Sequence, residues 1–70
     1  MRLLIIGSLE GQIGAASKIA VDRGAQVTQA DTVETGLKVM RGGRGVDLVM
    51  VDVHMDIDGL MTSMTSERLN

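Results

Sequence analysis

Four consecutive strong apolar residues, Leu3-Leu4-Ile5-Ile6, open the chain with no polar position between them. A run without period-two alternation suits a strand buried on both faces, as at the centre of a parallel sheet. Gly7-Ser8 ends it. Residues 12–23 then carry Ile13, Ala16, Ile19 and Ala20 at helical spacing, which predicts a helix whose small alanines let it lie close to a sheet. Gly24 stands where a helix end favours positive φ. Residues 25–30 are short and mixed, with Val27 and Thr28 as β-formers, and read as an edge strand. Asp31 and Glu34 have the spacing of a capping box, with Asp31 as N-cap. A helix from residue 32 or 33 to about 41 is expected to bury Val33, Leu37 and Met40. Gly36 within it costs about 1 kcal/mol relative to Ala.

Gly42-Gly43-Arg44-Gly45 reads as a terminating loop. Residues 46–53 give the strongest strand signal, with Val46, Leu48, Val49, Met50, Val51 and Val53, again without alternation. Residues 54–59 are polar and turn-like, and Leu60, Met61, Met64 and Leu69 line one further helical face. The order is β-α-β-α-β-α. Parallel crossovers are right-handed, so the expected α/β sheet has three parallel strands in the order 2-1-3, flanked by helices. Residues 1–70 read as a single domain with no repeat or linker. The third strand is apolar throughout and no strand follows it in the chain. Its open edge is expected either to dimerise or to sit inside a larger domain.

Composition narrows the chemistry. A chain of 70 residues, 44% of them apolar, buries only about 60% of its unfolded surface and is marginally stable. It has no cysteine, which excludes a disulfide scaffold, a thiol nucleophile and a Cys-based zinc site. A single histidine excludes a His-rich metal centre. The net charge of −2 and the absence of Phe, Tyr and Trp leave neither the cationic excess nor the stacking platform of a nucleic-acid binder. Four strong apolar residues before Gly7 are too few for a secretory leader, and no run approaches the ~20 needed to span a bilayer. A cytoplasmic protein without membrane contact is expected.

Two readings compete for the glycines and acids. The loop Gly7-Ser8-Leu9-Glu10-Gly11-Gln12-Ile13-Gly14 follows a strand and opens a helix. Dinucleotides place their pyrophosphate at such a turn, against free backbone N–H groups. Gly11-Gln12-Ile13-Gly14 resembles the end of the glycine fingerprint of nucleotide-sugar epimerases and short-chain dehydrogenases. On that reading Gly7, Gly11 and Gly14 meet an NAD(P)-type cofactor and Asp31 holds a ribose hydroxyl. The spacing fits neither G-x-G-x-x-G nor G-x-x-G-x-x-G, however, and Glu10 would set a carboxylate beside the pyrophosphate. The bland alternative is a tight turn with close helix packing.

The second half points elsewhere. Asp47-Leu48-Val49-Met50-Val51-Asp52, followed by Met55 and Asp58-Gly59-Leu60, resembles the third strand and following loop of response-regulator receiver domains. Residues 24–31 and Glu34-Thr35-Gly36-Leu37 are similar to the receiver's second strand and helix. The resemblance covers the whole chain but only about the first half of a receiver, whose fourth and fifth strands are lacking. It implies a flavodoxin-like, three-layer fold in which Asp52 aligns with the phosphoryl acceptor. Receivers hold a magnesium ion with an acid pair at the end of the first strand. Gly7 and Ser8 occupy those positions here, Asp56 stands where proline is usual, and neither neutral residue suits a hard cation. Without a cation, attack by a carboxylate on an anionic phosphoryl donor is opposed. The resemblance therefore implies a vestigial Asp52 and a domain without cofactor or metal. The runs Met1-Arg2-Leu3-Leu4-Ile5-Ile6-Gly7, Gly11-Gln12, Gly24-Ala25 and residues 47–52 resemble in particular the flagellar activators among the sigma-54-dependent (NtrC-type) regulators. In that family a receiver-like domain precedes an ATPase and a DNA-binding helix-turn-helix, and is controlled by a partner protein rather than a kinase.

The remaining candidates have ordinary readings too. Asp52 at a strand end also reads as a loop cap or the partner of a nearby cation, and His54 reads as a solvated turn residue. Asp52, Asp56 and Asp58 match no calcium loop. Lys38, Arg41 and Arg44 complement the negative end of a helix dipole. Met61 and Met64 are either core filling or, with the third helix uncovered, an adaptable partner-binding surface.

Overall fold

The computed structural model describes residues 1–43 and 45–69. β1 (Arg2–Ile6) lies at the centre of a parallel sheet, with β2 (Gln26–Ala30) on one side and β3 (Leu48–Val51) on the other. The helices α1 (Gly11–Asp22), α2 (Val33–Arg41) and α3 (Ile57–Glu67) alternate with them. The expected α/β order, 2-1-3 and all parallel, is borne out. Leu3 pairs with Val27 and Leu48, and Ile6 with Ala30 and Val51. The crossover from β1 to β2 runs opposite to that from β2 to β3, so right-handed connections put α1 on one face and α2 on the other.

Side chains alternate along β1, and all four of its apolar residues are buried. Leu4 and Ile6 join Ala30, Leu37, Met40 and Leu60 in the core beneath α2 and α3. Leu3 and Ile5 fill the opposite face. Gly36 is what brings α2 so close. A Cβ there would lie 2.5 Å from Ile6 Cδ1 and 2.8 Å from its Cγ1. The glycine lowers helix propensity but is a packing requirement.

The structure departs from the sequence pattern in four places. On α1, Ser17 is buried while Ile19 is 56% exposed, so the helix presents its smallest residues to the sheet. At α2 the N-cap is Thr32, whose hydroxyl accepts from the Thr35 backbone N–H at 3.1 Å. Asp31 accepts instead from Gln29 Nε2 at 2.8 Å, one residue too early to cap the helix. β3 is shorter than residues 46–53. Asp52 donates its N–H to Ile6 O at 2.9 Å and accepts at its own carbonyl from Met55 N at 3.0 Å. That turn ends the strand and leaves Val53 79% exposed. Helix then begins within the supposed polar turn, because Asp56 Oδ1 caps α3 by accepting from Gly59 N at 3.0 Å.

Arg41 in the last turn of α2 does more than complement the helix dipole. Its Nε and Nη2 donate to the two carboxylate oxygens of Glu67 at 2.6 and 2.8 Å, tying α2 to α3. The bond holds the Glu67 carboxyl below its usual range and raises Arg41. Lys38 is exposed beside it, and Arg44 lies outside the described residues. Urea denaturation checks the packing argument. Gly36→Ala is expected to lose about 1–3 kcal/mol by overpacking against Ile6, despite its gain in helix propensity. Ile19→Lys is expected to stay within about 0.5 kcal/mol of the parent.

Candidate functional site

Open parallel sheets place their sites at the C-terminal ends of the strands. Here the register Ile6↔Val51 brings the ends of β1 and β3 together, so Gly7 meets Asp52. Gly7 is buried with φ +129°, and a Cβ on it would lie 2.5 Å from Asp52 Cβ. Its N–H donates to Ala30 O at 2.8 Å, and its carbonyl accepts from Gln29 Nε2 at 2.6 Å. Gln29 thus links Gly7 to Asp31 through a single amide. Sequence reasoning passed over this residue. The only local signal is an amide side chain next to the end of an edge strand.

Asp52 is half-buried. Its Oδ1 accepts from the backbone N–H of His54 at 2.9 Å and lies 2.9 Å from the ring Nδ1 of the same residue. A carboxylate can only accept, so Nδ1 carries the proton. The Asp52 carboxyl is held below its ordinary value, first by the His54 backbone N–H and then by the ring, against a smaller upward push from burial. His54 is therefore more than a solvated turn residue, although its ring is 89% exposed. The two-residue spacing is that of an Asx turn, a signal that was legible in the sequence.

The other expected site residues take separate positions. Ser8 is exposed beside Gly7. Glu10 precedes α1 as its N-cap, with no side-chain capping bond. Asp56 caps α3 and Asp58 is exposed in its first turn. The residues present do not fit a magnesium site of receiver type. The end of β1 supplies no carboxylate, and among the described residues no three of His, Asp and Glu gather around one point.

Gly11 has a conformational role and Gly14 a packing role. Gly11 opens α1 at φ +62°, and Gly14 lies against the Leu9 carbonyl, where any Cβ would collide. With the ionised Asp52 packed on Gly7, a pyrophosphate approaching the first glycine would meet like charge.

Beside the outer edge of β3, an apolar groove of about 300 Å³ runs between the strand and α3, its lining including Val49, Val51, Leu60, Met61 and Met64. Leu60 is buried, Met64 half-buried and Met61 56% exposed. Among the described residues no helix is long and apolar enough to cross a membrane.

Known proteins give one informative comparison. Over 69 residues, 99% of its length, the chain is 44% identical to the transcriptional regulatory protein FlbD of Caulobacter vibrioides. It is a relative of a transcriptional regulator. The chain spans 15% of FlbD's length. The kinship with a bacterial transcriptional regulator that the strand and loop residues imply is thereby borne out. No family model and no solved structure matches the chain.

The pH response of the site follows from its geometry. A carboxyl whose folded value is lowered adds stability that is fully present above its unfolded value. That stability is lost as pH falls through the folded value. Asp52 and Glu67 are both of this kind. The melting temperature, followed by circular dichroism, is expected to be level near neutrality and to fall steadily below about pH 4. Asp52→Asn is expected to melt lower at neutral pH and to show a shallower acid slope.

Proposed function

We propose that residues 1–70 are the opening three strands and helices of a receiver-like regulatory domain, which acts in the cytoplasm on an attached sigma-54-dependent activator of flagellar genes. It is not an enzyme and works through protein–protein contact rather than phosphorylation. The regulatory role is supported by the similarity to FlbD. The observation that carries the mechanism is the strand end itself. Gly7 and Ser8 bring no charge to the place where a cation would have to screen the Asp52 carboxylate from an incoming phosphoryl group.

The message then travels through a surface. The outer β3 edge, the apolar groove and the exposed Met61 form one continuous face. Methionine is suited to it, because an unbranched thioether adapts its shape to a partner at small conformational cost. A regulatory protein, or a second copy of the chain, takes its place there. No contact with nucleic acid or membrane is assigned to this part.

Incubation with acetyl phosphate and Mg²⁺, followed by intact mass, is expected to leave the chain unmodified. An acid-labile gain of about 80 Da on Asp52 overturns the mechanism. In cells carrying a flagellar promoter fusion, Met61→Glu is expected to change output at least about fivefold. A charge at this position leaves the fold intact but disrupts an apolar contact surface. Unaltered output, with the variant melting like the parent, removes Met61 from the contact face.

A further inference from the structure

The ends of β1 and β3 are joined more closely than a vacated acceptor site requires. Gly7 adopts a φ that L side chains rarely take, and Asp52 fills the space where a side chain on residue 7 would begin. Asp52 in turn is closed by two bonds from one residue, the backbone N–H and the ring of His54. The next backbone bonds continue the same turn: Met55 N to Asp52 O at 3.0 Å and Ile57 N to Met55 O at 2.9 Å, after which Asp56 caps α3. The loop from Asp52 to the first turn of α3 is thus tied to Asp52 at two points, its carboxylate through His54 and its carbonyl through Met55.

We propose that Asp52 is a clasp, with Gly7 as its seat and His54 as its latch. The clasp positions the loop after β3, and through it the α3 face that carries Met61 and Met64. This deepens the reading of a phosphorylation-independent contact module and rests on it. The change at position 7 is also steric. An acid placed there meets Asp52 Cβ and a backbone angle it cannot readily hold, so it opens the clasp and creates no cation site. His54 acts on the loop through Asp52 and is a positioning residue.

The clasp has a spectroscopic signature that mere structural support would lack. Free neutral imidazole carries its proton mainly on Nε2, whereas donation to Asp52 requires it on Nδ1. Long-range ¹H–¹⁵N correlation of the labelled chain, at a pH where the ring is neutral, reads the tautomer without any substitution. The expected result is Nδ1–H in the parent and Nε2–H in Asp52→Ala. The Ala variant is also expected to shift the amides of residues 53–60 and the Met61 and Met64 methyls, leaving those of α1 in place. Asp52→Asn, which keeps an acceptor for the His54 backbone N–H, is expected to restore most of the loop shifts. Gly7→Asp is expected to show the loop shifts of the Ala variant and no saturable response to millimolar Mg²⁺.

An Nε2–H ring in the parent, or loop and methionine signals unmoved in Asp52→Ala, overturns the clasp. So does a Gly7→Asp chain with parental loop signals that binds Mg²⁺. Phosphorylation of parental Asp52 alongside an Nδ1–H ring defeats the proposed mechanism while the clasp stands, so the two failures are separable.

Discussion

The two-sided burial of β1 is the constraint that organises the rest. Four adjacent apolar side chains alternate between faces, so neither face can be left to solvent, and each needs its own cover. α1 supplies one cover and α2 with α3 the other. With so few residues to form a core, closeness of approach replaces bulk. The closest approaches fall at small residues, Gly36 under α2, Ser17 on α1, Ala30 at the end of β2 and Gly7 below Asp52, while Leu37, Met40 and Leu60 fill the space between the helices and the sheet. Interiors pack at crystal-like density, so each position is specified by the shape that β1 leaves free.

The same constraint fixes the geometry of the site. Once Ile6 pairs with Val51, the next residues of the two strands must meet, whatever they are. An acid and a neutral residue at that junction behave very differently. Two carboxylates held this close would repel, and would need a shared proton or a cation between them. A glycine needs none, and lets Asp52 settle onto the backbone and be satisfied by His54. The neutral residue at position 7 and the ordering of the following loop are therefore linked through Asp52.

Much of this was legible in the chain, because it depends on period and order. Unalternated runs at residues 3–6 and 46–53 mark buried strands. The helical spacings between them, with right-handed crossovers, leave little freedom for the sheet. Features that depend on phase were harder to read. The hydrophobic pattern assigns Ile19 to the inner face of α1, yet a helix lying on a sheet is selected for small cross-section, and Ser17 wins the contact. Asp31 and Thr32 are equally good caps by composition. Asp31 is engaged by the Gln29 amide and Thr32 takes the role. The Arg41–Glu67 bridge and the Gln29–Gly7 bond join residues far apart in sequence, and no local pattern announces them. His54 differs, since its partner is two residues away and the turn motif was there to be read.

The β3 side of the sheet shows how the strand end and the neighbouring helix are coupled. Among the described residues β3 pairs only with β1, and beside it Val49, Val51, Leu60, Met61 and Met64 line one apolar groove. Asp52 ends the strand with a turn closed at its own carbonyl by Met55 N, and Asp56 caps α3 immediately afterwards. The bond that stops β3 therefore also sets where α3 begins, and with it one wall of the groove.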